Sequence, residues 1–197
     1  MVSVQADTIS PGAKFASETD QYLVALAVSS QDTAAFGELI RRHQSQIRNF
    51  LRRLSGDTNA ADDLAQDCFL HAWNKLQTYS GRGSFIGWLL KVAYTTFLQS
   101  KRKSKRYAEI LDEAGHVQDL QNQQYAVQPD EVPDLDRFLA VLTEEERAVM
   151  VMSYGCGLSH REISVATDIP VGTVKSIIFR GKEKIRTSFD LKDHKHG

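Results

Sequence analysis

The chain is poor in the residues that mark extracellular, metal-bound and membrane-spanning proteins. It has only two cysteines, Cys68 and Cys156. They lie far apart without the paired spacing of a zinc site, so they read as buried thiols in a reducing cytoplasm. No apolar run approaches the roughly 18 residues that a bilayer-spanning helix needs, which argues against direct membrane insertion. The opening MVSVQADTISPGAKF has neither the basic start nor the apolar stretch of a secretory signal. Strand signals are scarce, and no two apolar runs alternate with period two around an Asn-Gly or Asp-Gly turn. What remains is 197 residues, 42% of them hydrophobic, enough for a packed core.

The net charge of −1 conceals a strong segregation. Residues 81 to 106 carry seven Lys or Arg and no acid, and residues 107 to 136 carry eight Asp or Glu and no Lys or Arg. Residues 171 to 197 return to seven basic against three acidic. The overall charge balance is therefore a poor guide, and two basic blocks separated by an acidic segment describe the chain better.

Helical periodicity organises the rest. A short helix is expected from about Asp20 to Val28, and a longer one over Thr33–Leu54. The turn "SGDTN" leads to a third over Ala60–Leu76. A glycine-containing loop, "QTYSGRGS", precedes a fourth from Phe85 to about Arg106. The acidic, Gln-rich stretch to Pro133 has the composition of a solvated linker. Helices resume over Asp134–Leu142, Glu144–Tyr154, Ser159–Thr167 and about Val171–Ser188. The expected fold is all-α. It comprises a tail 1–19, a helical domain 20–106, a flexible acidic linker 107–133, a second helical domain 134–190 and a tail 191–197. His194 and His196 in the last segment lack a plausible ligand set, so no metal or other cofactor is expected.

In "LSHREISVATDIPVGTVKSIIFRGKEKIR", Ser159 and Glu162 make an S-x-x-E capping box. Asp168-Ile169-Pro170 ends that helix, and Pro suits the start of the next. In the next helix Val174, Ile178, Gly181 and Ile185 mark the inward stripe. Lys175, Ser176, Phe179, Arg180 and Glu183 stand opposite. A tight helix pair with basic residues outward is a helix-turn-helix arrangement, and Phe on that side has use only if something meets it. Lys and Arg suit phosphates and guanine edges, and Phe suits a thymine methyl. An ordinary helical hairpin with a solvated face is the competing reading.

Two features stand out in the first domain. Leu64, Cys68, Ala72 and Leu76 line one face of "AADDLAQDCFLHAW" and its continuation, while Asp63, Gln66, Asp67 and Leu70 gather on another. That acidic stripe with a Leu suits a basic partner surface, or else is simply solvated. The loop and helix from 77 to 106 interleave Tyr79, Phe85, Trp88, Tyr94 and Phe97 with Arg82, Lys91 and the run Lys101 to Arg106. Rings for unstacked bases and charges for a backbone are what single strands need, although most of these aromatics read as core. The GRGS sequence lacks the Gly-Lys-Ser/Thr ending of a phosphate loop.

Taken together and in this order, "DDLAQDCFLHAW", "GSFIGWLLKVAYTT" and "GLSHREISVATDIPVGTVKSIIFRGKEKIR" resemble the extracytoplasmic-function (ECF) group of bacterial RNA polymerase sigma factors. The resemblance covers about residues 20–106 and 134–188. It implies a region-2-like and a region-4-like domain, no enzyme activity, and a cytoplasmic transcription initiation factor that binds core RNA polymerase and promoter DNA. It places Asp63, Gln66, Asp67, Leu70 and Trp73 on the clamp coiled coil of the largest polymerase subunit. It gives Tyr79, Arg82, Ser84, Phe85, Lys91 and Thr95 to melting and reading the −10 element, and Lys175, Ser176, Phe179 and Arg180 to the −35 element. It also implies control by an anti-sigma factor, as in many stress responses, and a linker threading the polymerase's RNA path. The chain departs from many members at Thr95, where they have Asn, at Ile177, where they have Arg, and at Gly181, where they have Ala.

Two other functions are set against this. A free-standing helix-turn-helix regulator leaves residues 60 to 100 without a role. A metal-dependent hydrolase or nuclease built on Asp62, Asp63 and Asp67 lacks a convergent histidine or further carboxylate.

Overall fold

The computed structural model describes residues 15, 17–113 and 134–193. Among these described residues eight α-helices follow in order: α1 (Asp20–Ser30), α2 (Thr33–Ser55), α3 (Thr58–Lys75), α4 (Phe85–Glu113), α5 (Asp134–Ala140), α6 (Glu144–Met150), α7 (His160–Thr167) and α8 (Val171–Asp193). A 3-10 turn at Leu76–Thr78 extends α3, and a π-helical turn at Val151–Gly155 extends α6. No strand occurs among the described residues, as the scarcity of strand signals predicts.

Side chains set the helix ends. Asp32 accepts from the Ala34 and Ala35 amides to start α2, and Asp57 accepts from Ala60 to start α3. Between them Gly56, at φ 72°, adopts the left-handed conformation that stops α2, its N–H donating to the Arg52 carbonyl. "SGDTN" is thus a stop and a start within two residues. The Ser159–Glu162 capping box forms as the sequence predicts. A second box, Thr143 with Glu146, opens α6.

α2 lies at the centre of the packing. α1, α3, α4, α6 and the π turn all rest on it. Leu39, Ile47, Phe50 and Leu51 face inward at no more than 1% exposure, against Leu89, Leu90 and Phe97 of α4 in the same core. Val149, Met152, Ile163, Val174, Ile177 and Ile178 fill the second half. The two halves, expected to be tethered, are in fact packed together, α7 along α4 and α6 on α2. Arg52 meets Asp136 at 3.1 Å, Gln46 Nε2 donates to the Cys156 carbonyl at 3.2 Å, and Lys101 meets Glu144 at 2.7 Å.

Several expected boundaries move. α4 continues past Arg106 to Glu113, taking the first seven positions of the stretch read as linker, and α8 reaches Asp193. Residues 114–133 and the histidines at 194 and 196 lie outside the described residues. At the other end, Phe15 is 3% exposed, and Arg42 donates to the carbonyls of Phe15 and Glu18, each at 2.7 Å. The packed part of the chain therefore begins upstream of Asp20, within the segment read as a tail. A lone buried Phe in a polar stretch offers no periodicity to read.

Arg42 belongs to a polar knot. Glu38, 3% exposed, accepts from Arg41 Nε and Nη2 at 2.7 Å and from Arg42 Nε at 2.8 Å, while Arg42 also reaches Asp20. These guanidinium bonds, Arg41's foremost, hold the Glu38 carboxyl at about 2 rather than 4.5 although burial pushes it upward. A carboxylate depressed on folding contributes stability that is complete above pH 4.5 and is lost as pH falls from there towards 2. Urea titrations should show the wild-type midpoint dropping across that window. Glu38→Ala should lower stability by about 2–3 kcal/mol at neutral pH and lose less on acidification.

Gly181 sits buried where α8 packs on α6. A Cβ there would lie 3.2 Å from both Met150 Cγ and Sδ, and 3.7 Å from Leu142 Cδ2. The helix-propensity gain of about 1 kcal/mol for Ala is offset by displacing that thioether. Gly181→Ala should therefore melt close to wild type, and Gly181→Val should lose about 1–3 kcal/mol by overpacking.

Candidate nucleic-acid interface

Three surfaces gather the residues singled out from sequence. On α3, Leu64, Ala65, Cys68 and Ala72 point inward, and Asp63, Gln66, Asp67 and Leu70 are exposed on the opposite side. Leu70 is 63% exposed, an apolar group held beside two carboxylates. Trp73 is half-buried, its ring 5.0 Å from Phe36, and so steadies the C-terminal end of this stripe.

The loop between the 3-10 turn and α4 is shaped by Gly81 and Gly83, whose φ angles of 73° and 79° favour glycine. Tyr79 closes it by donating its hydroxyl to the Gly83 carbonyl at 3.0 Å. Its phenol is pushed above its ordinary pKa by burial and by the negative charge of Asp20. Phe85 differs from the rest of the proposed strand-reading set. It is 3% exposed and packs at 5.5 Å on Tyr79, Trp88 and His43, so it props the loop from inside. Arg82 is exposed at the tip. Ser84 accepts from the Gly87 amide at the start of α4 and donates to Glu162 Oε1 at 2.6 Å. One α4 turn beyond Gly87, Lys91 meets Asp168 at 2.7 Å, and Thr95 donates back to the Lys91 carbonyl.

Behind this loop a groove of about 130 Å³ opens between α3 and α4, lined among others by His71, Lys75, Trp88, Lys91, Thr95 and Gln99. Sequence reasoning found Lys91 and Thr95 but missed His71, Lys75 and Gln99. Gln99 follows Thr95 by four residues and was legible as the same helix face. His71 and Lys75 face the groove only because α3 packs beside α4, where His71 Nδ1 lies 3.1 Å from Thr96 Oγ1.

The third surface is α8. Lys175, Ser176, Phe179 and Arg180 are all exposed, Phe179 at 68%, while Val174, Ile177 and Ile178 are buried beneath them. Ile177 is 2% exposed and therefore a core residue. Asp168, at φ 59°, caps α7 in the left-handed conformation, and Pro170 accepts from the Val174 amide to begin α8. These two residues set the tight angle of the helix pair.

Among the described residues no group of three or more His, Cys, Asp or Glu could hold a metal ion, and no helix is long and apolar enough to cross a membrane. Asp62, half-buried where Asp63 and Asp67 are exposed, lies 3.6 Å from Arg48.

Comparison with known proteins gives these surfaces a common setting. The family model "Sigma-70 region 2" matches residues 39–107 and "Sigma-70, region 4" matches residues 134–185. The ECF RNA polymerase sigma-E factor of Escherichia coli K12 is 31% identical over 180 residues, covering 85% of this chain and 92% of that protein. The RNA polymerase sigma-H factor of Pseudomonas aeruginosa is 29% identical over 179 residues, with the same two coverages, 85% and 92%. Among solved structures, the sigma factor RpoE of Bartonella quintana, in complex with the anti-sigma factor NepR, aligns with a TM-score of 0.64. It is 22% identical and covers 79% of this chain and 97% of that one. At that identity the likeness is one of fold.

Cys68 is buried as expected, whereas Cys156 is only half-buried, and both thiols are held in the protonated form. Burial raises Cys68 to about 12, and burial, opposed by Gln46 and Arg53, raises Cys156 to about 11. Since the thiolate is the nucleophile, iodoacetamide at neutral pH should alkylate both far more slowly in the folded chain than in urea. Rapid modification of the native protein would contradict the buried-thiol reading.

Proposed function

The chain belongs to the ECF group of bacterial sigma factors, and from that premise we propose that it directs core RNA polymerase to a particular set of promoters. In this reading residues 20–106 form the domain that docks on polymerase and opens the −10 element. The second domain, from residue 134 on, reads the −35 element. The chain works in the cytoplasm and supplies no catalytic chemistry of its own.

The observation that carries the reading is the coexistence, on one chain, of the Asp63–Gln66–Asp67–Leu70 stripe and an outward basic helix bearing Phe179, each exposed on a separate domain. A lone DNA-binding regulator has no use for the first. The carboxylates suit a basic coiled coil, and Leu70 with Trp73 supplies the apolar contact that fixes register. On α8, Lys175 and Arg180 meet phosphates or guanine edges, Ser176 adds a hydrogen bond, and Phe179 meets a thymine methyl.

Strand opening falls to the loop and groove. Extracting a base from the stack costs a few kcal/mol. Stacking a base on an aromatic ring returns about 1–3 kcal/mol, and Tyr79 and Trp88 are the half-buried rings available at this loop. Arg82, Lys75 and Lys91 would hold the phosphate backbone, while Thr95 and Gln99 offer hydrogen bonds to base edges. An anti-sigma factor, of the kind bound to the Bartonella protein, would silence the chain by covering these surfaces.

Mixing the full chain with sigma-free bacterial core polymerase tests the proposal. The wild type should co-elute with the polymerase, and an Asp63→Arg/Asp67→Arg variant of unchanged helix content should not. In the wild-type complex, Phe179→Ala should weaken promoter binding by about 1–3 kcal/mol without altering polymerase association. A folded wild-type chain that ignores core polymerase would sink the reading.

A further inference from the structure

The 79–84 loop is held mainly from one side. A Cβ added at Gly81 or Gly83 would meet nothing within 4 Å. Towards α1, an open hollow of about 280 Å³ is lined by Val24, Val28, Tyr79 and Gly81 among others. The bond from Tyr79 to the Gly83 carbonyl closes the loop on itself but ties it to no other element. Its position therefore rests on the rings beneath it. Tyr79 and Trp88 lie 5.8 Å apart and each is 5.5 Å from Phe85, which is in turn 5.5 Å from the His43 imidazole. At His43 the chain of rings meets charge. Its Nε2 lies 2.7 Å from Asp20 Oδ2. A carboxylate oxygen only accepts, so Nε2 carries the proton and the bond fixes the ring's orientation. Arg42 donates to the other Asp20 oxygen at 3.0 Å. Arg42 and His43 are consecutive on α2 and diverge by about 100°, and one carboxylate at the start of α1 spans both. Arg42 also bonds the buried Glu38 and the carbonyls of Phe15 and Glu18, so the anchor is firm. The charge of Asp20 reaches the Tyr79 hydroxyl as well, so it lies close to the loop.

We propose that His43, held by Asp20, is a positioning residue for strand opening. Its imidazole seats Phe85, and Phe85 sets Tyr79 and Trp88 where an unstacked base would meet them. The proposal rests on the reading of this loop as the strand-opening element, and neither His43 nor Asp20 touches DNA in it. A loop with two glycines at positive φ has many conformations open to it, and only those presenting both rings can take a base. Apparent affinity falls by whatever fraction of the loop population is competent. Losing one ring contact should lower that fraction by about two- to tenfold. Docking on polymerase and reading of the −35 element use other faces and should not change.

Substitutions at His43 separate the ring from the hydrogen bond. His43→Phe keeps a ring against Phe85 and drops the bond, whereas His43→Gln keeps a donor for Asp20 and drops the ring. Asp20 is 28% exposed, so water can take the place of the N–H lost in H43F. In the full chain carrying Trp73→Phe, Trp88 is the one tryptophan left, and its quenching by acrylamide reports the loop. H43A and H43Q should raise that quenching, and H43F should restore it. Wild-type holoenzyme, assembled with core polymerase, selects a duplex from a library randomised over the −10 and −35 elements. With 2-aminopurine placed in its −10 element, that duplex reports opening. H43A and H43Q should open it about two- to tenfold less than wild type, and H43F nearly as well as wild type, with polymerase co-elution unchanged in all three. Asp20→Asn should impair opening in the wild type and add nothing in H43F, whose phenyl ring has no bond to lose. Losses that follow melting temperature in every variant, H43F included, would make the pair a general stabiliser and overturn the proposal. Unchanged Trp88 quenching in H43A would do the same. Tyr79→Ala shows which idea has failed. If Y79A is impaired while H43A opens DNA normally, the positioning role alone falls. If Y79A also opens DNA normally, the loop is not the opening element and the proposal falls with that reading.

Discussion

Burial of one face of α2 is the constraint from which most of this structure follows. Helices from both halves need a common apolar surface, and the row from Leu39 through Ile47, Phe50 and Leu51 provides it. Burying about 25 cal/mol per Å² of apolar area favours every helix that can reach the row. α3 and α4 therefore settle beside each other, and their outer faces become the acidic stripe and the polar groove. The surfaces proposed to be functional are what remains of these helices once their inner faces are buried on α2.

The same packing explains the polar groups that break the apolar pattern. Glu38 lies on α2 where the chain upstream of α1 crosses, and two arginines neutralise it there while Arg42 gathers the carbonyls of Phe15 and Glu18. A buried carboxylate without those partners would be costly, so the knot locks the N-terminal segment in place. In the second half, burial pushes Glu146 upward, but both its oxygens take Lys184 and it caps α6 with Thr143, which together keep it ionised. In both places a charged group is used to fix chain direction at a helix end.

The proposed recognition residues are divided between rigid helices and a loop whose shape depends on two glycines with positive φ. The α8 face needs no loop, since its four residues follow from helical spacing alone and the burial of Val174, Ile177 and Ile178 turns them outward. The 79–84 loop needs Phe85 underneath it, and that is why a residue read as a strand contact proves to be a support. An aromatic at a loop–helix junction can be aimed at solvent or at the core, and only the neighbours Tyr79, Trp88 and His43 decide between the two.

Local patterns were enough to determine the helices, their caps, the acidic stripe on α3 and the outward face of α8. Helical period and capping chemistry act over three or four residues, which is the range a sequence exposes directly. The family, too, was legible, because its motifs are short and ordered along the chain. Contacts between elements distant in sequence were decided only by the tertiary structure. The burial of Phe15, the approach of His71 and Lys75 to Lys91, the fit of Gly181 against Met150, and the seating of Glu162 and Asp168 on α4 all join such distant residues. Such pairings depend on how amphipathic faces add up in three dimensions, and no local spacing encodes that sum.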